Sequence, residues 1–305
     1  MPNQWEPISL FYWRTTQLLP DFGWSADYGL LLTTIIGVLA GTVIGAGVIG
    51  YITKKNKIRE QLTKEIRDTN AAIALALAIT KCTINLKRKY TKPLDENYYS
   101  ARGKNLDIVA RAQAGLLQNE ATQINLVKLD PIAPPTALLL DIVSSRISAS
   151  GRALAVVSEL NGAITNLNTV LKRRNDLIEN LKKNDLLHDV TEEYFYLGLR
   201  YANGQANEEY RDSIVGISNY TNDVIFFGST LCDDLRDHAE LLVTSFNKKR
   251  LGKNPPDINE FDLSVAREEG WIPSSEDYET WTTSFRKKEP KLKQGRWRFQ
   301  FFKRG

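Results

Sequence analysis

The chain has 305 residues, 42% of them hydrophobic and 25% charged, with a formal net charge of +4 and a mean hydropathy of −0.32. Two cysteines, Cys82 and Cys232, exclude a disulfide framework, and the mild charge balance does not by itself point to nucleic acid. About 250 residues remain once the most apolar stretch and its N-terminal flank are set aside, enough for one large or two small folded units.

Residues 1–27 form a short aromatic segment with Trp5, Trp13 and Trp24 among Phe11, Tyr12 and Phe22. They read either as an aromatic belt in the outer headgroup region, with Trp13 and Trp24 at the interface, or as an unstructured tail. From Tyr28 to Ile52 the next 25 residues carry no formal charge. At about 1.5 Å per helical residue that length crosses a hydrocarbon core of roughly 30 Å, so residues 28–52 predict a transmembrane helix. Gly37, Gly41 and Gly45 recur every fourth residue and share one helical face. Inside lipid, close backbone approach substitutes for the hydrophobic effect, so this face predicts self-association into a homo-oligomer.

Orientation follows from the flanks. Asp21 and Asp27 precede the apolar run, whereas Lys54, Lys55, Lys57 and Arg59 follow it directly. The positive-inside rule then places the N-terminus outside and residues 53–250 in the cytoplasm, behind an uncleaved single-pass anchor.

No Pro or Gly interrupts residues 54–90, and Pro93 is the expected terminator of that helix. Ile58, Leu62, Ile66, Thr69, Ile73, Leu77, Thr80 and Ile84 suggest an 11-residue repeat along it, though an ordinary amphipathic helix of period 3.6 looks nearly the same over this length. A second helix is expected over 95–127, and Asp130 to Pro135 marks a bend between helices. Val157, Leu160, Ile164, Leu167, Leu171, Arg174, Ile178 and Leu181 then form a heptad seam whose one polar member is Arg174. Such a seam serves equally a coiled coil between chains or a hairpin within one. Short and long helices follow over 185–201 and 207–246, the latter with Ile214, Ile217, Val224, Leu231, Leu235 and Leu242 in register. The fold class is therefore all-α: a single-pass transmembrane helix continuing into an elongated cytoplasmic helical bundle or coiled coil.

Residues 251–305 change character. Eight acidic residues face one arginine over 257–279, and nine basic residues face Glu289 alone over 286–305. This is a small appended module or tail whose two halves could pair. In the basic part, Arg296, Trp297, Arg298, Phe299, Lys303 and Arg304 alternate cations with rings. That pattern suits anionic lipid headgroups, a nucleic-acid backbone or an edge packed on the chain itself.

Catalytic signals are sparse. His188-Asp189 lacks the upstream histidine that a His-Asp metallophosphohydrolase needs, and no arginine precedes His188 or His238 at ribonuclease spacing. Asp233, Asp234 and Asp237 spell a DDxxD pattern that could bind Mg²⁺, but a second acidic metal motif is missing. Cys232, Asp234 and His238 do not amount to a four-ligand zinc site, and His238 falls in register with core leucines. No catalytic residue, metal or cofactor is expected. The sequence predicts a non-enzymatic, self-associating membrane protein: a regulated effector or signal-transmitting component of the bacterial toxin or antiviral kind. Expected partners are a second copy, an anionic bilayer and a cytoplasmic protein, with nucleic acid less favoured. Alternatives are a passive membrane-tethered scaffold and, furthest away, a tethered metal-dependent enzyme using the three aspartates.

Overall fold

The computed structural model describes residues 28–114, 124–149, 151–183, 192–201, 204–252 and 254–285, with backbone alone over 28–47 and 112–113. The aromatic segment with Trp13 and Trp24 lies outside the described residues, as does the basic stretch with Arg296, Trp297, Arg298, Phe299, Lys303 and Arg304. Among the described residues the fold is all-helical, without a strand; an isolated antiparallel bridge joins Arg200 and Ala206. The helices are α1 (Tyr28–Leu86), α2 (Lys92–Gln113), α3 (Thr136–Asp141), α4 (Gly151–Lys182), α5 (Glu192–Leu197), α6 (Glu209–Lys248), α7 (Ser264–Glu268) and α8 (Glu279–Thr283). The chain divides into two compact units, Met1–Glu60 and Gln61–Gly305.

The first unit contains residues 28–60 of α1, so Gly37, Gly41 and Gly45 are helical, as are Lys54, Lys55, Lys57 and Arg59. In length and composition one helical stretch qualifies as a membrane span among residues with described side chains, within Val48–Arg111, at a mean hydropathy of 1.3. Of its most apolar window, 39% is buried inside the protein. That window lies in the second unit and contains Ala72, Ile73, Ala76 and Ile79, which are core residues.

In the second unit, α4 and α6 run antiparallel, as Arg152 meets Asp234 at one end and Arg173 meets Glu209 at the other. All eight positions of the α4 seam are buried, Arg174 included, so the seam is consumed within the chain. The six in-register apolar residues of α6 are buried too. Burying a side chain of this size stabilises by about 1.5–3 kcal/mol, which makes this helix pair the backbone of the core. Glycine brings neighbours close: a Cβ on Gly228 would collide with the Thr80 hydroxyl, and one on Gly216 would lie 3.2 Å from Val170.

Three expectations need correction. First, the helix does not stop at Pro93. It widens into a π-helical segment, Lys87–Thr91, and resumes as α2 with Pro93 as its second residue. The Lys92 N–H reaches back five residues to the Lys87 carbonyl. Widening the turn just before Pro93 accommodates a ring that brings no N–H and would clash with a regular preceding turn. Second, α2 ends at Gln113, and residues 124–135 carry no helix. Third, α1 fully buries only part of the 11-residue repeat, namely Ile66, Thr69, Ile73 and Thr80. Its buried stripe is Ile66, Thr69, Ile73, Ala76, Thr80 and Thr83, a 3-4-3-4-3 spacing, while Leu77 and Ile84 are only half-buried. The threonines enter the core because each hydroxyl donates to the carbonyl four residues earlier, at 2.8 Å for Thr69 and Thr80 and 2.9 Å for Thr83.

A second cluster gathers Leu94 and Tyr98 of α2, Leu177, Ile178 and Leu181 of α4, Phe195, Tyr196 and Leu197 of α5, and Tyr210 and Ile214 of α6. Residues 257–281 do not hang free. Ile258, Phe261, Tyr278 and Trp281 pack on the main core, and Tyr278 stacks on Phe226 with ring centroids 3.7 Å apart.

Candidate functional site

The polar groups of the second unit collect along α6. Successive helical residues point about 100° apart, so Asp233 and Asp234 diverge. Asp234 is buried and takes the Arg152 guanidinium as a fork, with Nε to Oδ2 at 2.9 Å. Asp233 accepts from Arg267 at 2.6 Å and lies 3.5 Å from Arg236. Burial pushes the Asp233 carboxyl above its ordinary range, against the pull of Arg267 and Arg236. Asp237 is exposed. The three carboxylates therefore do not converge, and no group of three metal-ligating side chains occurs among the described residues.

His238 sits one turn beyond Asp234, with Nε2 3.3 Å from Glu65 Oε1 and 13% of its side chain exposed. Glu65 also accepts from the Ser148 N–H at 2.7 Å and from its hydroxyl at 2.5 Å. One carboxylate of α1 thus ties α6 to the run that precedes α4. Desolvation raises the Glu65 pKa, but the two Ser148 hydrogen bonds and His238 outweigh it and leave it lowered. Cys232 is buried beside Thr80, and burial pushes its thiol up to about 12, which makes it inert as a nucleophile at neutral pH. Cys82 is exposed.

A groove opens on another face of α6. Its larger part, of about 750 Å³, is lined by Lys87, Asn222, Asp233, Arg267 and residues from 270 to 277. The adjoining part, of about 680 Å³, is lined by Asp212, Asn219, Tyr220, Asp223 and Tyr278, and shares Asn222, Pro273 and Asp277 with the first. Lys87 donates to the Trp271 carbonyl at 3.2 Å; burial and then Lys92 lower its pKa. The Tyr278 hydroxyl donates to Asp223 at 2.7 Å. Asn222 Oδ1 is buried without a hydrogen-bond partner among the described residues.

Arg174, the polar member of the seam, is fully buried. It donates to the Val127 carbonyl at 2.8 Å and lies 5.6 Å from the Tyr210 ring centroid. Beside it, Asn168 exchanges two hydrogen bonds with the backbone of Ile132, both 2.8 Å, and Asn175 does the same with Leu129 at 3.1 and 2.7 Å. Asn70 of α1 repeats the device, donating to the Asp257 carbonyl at 2.7 Å and accepting from the Asn259 N–H at 3.0 Å. Sequence reasoning missed these clamps. Their one visible signal is that Asn161, Asn168 and Asn175 recur every seven residues beside the seam.

Of the sequence-predicted positions, Gly37, Gly41 and Gly45 share α1 with Lys54, Lys55, Lys57 and Arg59, and all belong to the first unit. Comparison with protein-family models, with curated proteins and with solved structures gives no match.

Proposed function

We propose that this chain is a single-pass, membrane-anchored helical protein that self-associates through Gly37, Gly41 and Gly45. It works without a catalytic step of its own, as a regulated membrane effector or signal-transmitting component of the bacterial toxin or antiviral kind. The observation that carries the reading is the uncharged run 28–52 within α1, with three glycines on one face and Lys54, Lys55, Lys57 and Arg59 directly after it. The basic flank orients the second unit toward the cytoplasm, where the basic-aromatic stretch 296–304 meets anionic headgroups and the helical surface meets a protein partner. The engagement of Asp233 and Asp234 by three arginines supports a structural use of these carboxylates.

The test is the mass of the full-length protein in detergent beside Gly41→Ile, paired with membrane potential in cells expressing each. A defined oligomer that becomes monomeric in Gly41→Ile, with loss of depolarisation, is the expected result. A monomer in both, with intact membrane potential at high expression, would overturn the effector reading and leave a tethered scaffold.

A further inference from the structure

The face of α6 that carries Asp212, Asn219, Asp223 and, one residue earlier, Asn222 forms one wall of the second part of the groove. Asp277 and Tyr278 form the opposite wall. Three features describe what would fill it. Asp212, Asp223 and Asp277 make this part of the groove acidic, with no basic residue in its described lining. Asn222 Oδ1 is a buried acceptor without a donor among the described residues. Tyr220 and Tyr278 add ring surface that suits a guanidinium or an ammonium. The occupant is therefore a cation rich in N–H donors that also carries apolar groups.

Outside the described residues the sequence holds such a segment. Residues 286–304 carry nine basic side chains, one acidic side chain, and rings at Trp297, Phe299, Phe301 and Phe302. The described part ends beside the groove. Phe285 packs on Trp281 at 4.8 Å, Trp281 lies 5.2 Å from Phe227, and α8, which holds Trp281, directly follows Tyr278 of the groove wall. From Asp212 to Asp223 the groove spans about 17 Å of helix, which about five extended residues would cover. Nineteen residues reach about 60 Å when extended, so length is no obstacle.

We infer that the groove between α6 and residues 273–278 is the docking site of the chain's own basic segment 286–304. Arginine and lysine side chains meet Asp212, Asp223 and Asp277, and one N–H donor satisfies Asn222 Oδ1. Docked there, the segment is withheld from anionic lipid; released, its cations and rings become available to a bilayer. The inference deepens the role given above to the basic stretch, but it does not rest on self-association, and its test reads a contact within one chain.

The experiment places the photocrosslinking residue p-benzoylphenylalanine at Trp297 of the full-length protein in neutral detergent. Illumination is followed by mass spectrometry of tryptic peptides. The expected product links position 297 to residues 212–236 of the same chain. Asp212→Asn, Asp223→Asn and Asp277→Asn together should cut its yield about tenfold, the combined effect of three partly exposed pairs. Should the triple variant lose helical circular dichroism, Asp212→Asn with Asp277→Asn decides the matter, since both side chains are exposed. A link found only in a band of doubled mass would assign the groove to a second copy and overturn the inference. So would an unchanged yield in the variants, or adducts to detergent alone.

Discussion

The α4–α6 pair and the irregular runs 124–135 and 254–263 belong to one unit but are held by different physics. The helix pair is fixed by burial, which is non-directional and needs only apolar side chains at the right spacing. The irregular runs have no internal hydrogen-bond ladder, so their N–H and C=O groups must be met from outside. Helix side chains meet them: Asn168 and Asn175 at Ile132 and Leu129, Arg174 at Val127, and Asn70 at residues 257 and 259. Apolar spacing thus sets the helices, and a few polar side chains set the path of the chain between them.

The largest effect is expected at the helix pair. Leu160 is fully buried in the seam, so Leu160→Ala should cost about 2–5 kcal/mol by lost transfer energy and a cavity. Leu154, 46% exposed on the same helix, should change stability by less than about 0.5 kcal/mol when replaced by alanine. Urea unfolding followed by circular dichroism in detergent measures both. Equal effects would mean that the seam is not what holds α4.

The clamps come next. Asn168→Ala strips partners from one N–H and one C=O of Ile132, and Asn175→Ala does so at Leu129. Each should cost about 1–3 kcal/mol. Amide exchange at Ile132 and Leu129 should accelerate while the α4 seam amides keep their protection. Asn168→Asp sharpens the point, because a carboxylate still accepts from the Ile132 N–H but no longer donates to its carbonyl. Uniform acceleration along α4 would show that the clamps and the seam are one cooperative element.

The same division separates what the sequence makes legible from what it hides. Period carries over directly from sequence to burial, so the seam positions from Val157 to Leu181 and the register of α6 can be read from apolar spacing alone. The stripe of α1 is harder to read: Thr69 and Thr80 fall on the expected face, but Thr83 is buried with a local hydrogen bond that a hydropathy pattern does not register. Pro93 misleads because a π-helical turn is a tertiary accommodation, not a propensity. The clamps are illegible for another reason: Asn168 and Ile132 are 36 residues apart, and Asn70 and Asp257 are 187 apart. Nothing local in an asparagine announces a backbone partner at that distance. The α6 groove is hidden in the same way, since its two walls are separated in sequence by residues 224–272.

Glu65 gives the smallest expected effect and the sharpest distinction, because it joins the two kinds of contact. It sits next to Ile66 of the buried α1 stripe, yet it accepts from both Ser148 donors in the irregular run before α4, and meets His238 on α6. Its carboxyl titrates below the ordinary value of 4.5 in the folded chain. The sign follows from linkage: a depressed folded pKa contributes stability that is complete above about pH 4.5 and lost as pH falls through the folded value. Glu65→Gln removes that contribution. The variant should be less stable than the parent at pH 7 by under about 1 kcal/mol, since a partly exposed carboxylate is screened by solvent. The difference should close as pH falls below 4.5 and the parent carboxyl takes up its proton. Urea midpoints measured from about pH 3 to about pH 7 follow it across the window that the lowered pKa defines. A gap that stays constant across that range would mean that Glu65 acts through packing alone, and that the run before α4 is held by Ile147 together with Ile142 and Val143 of the π-helical segment Ile142–Arg146 before it.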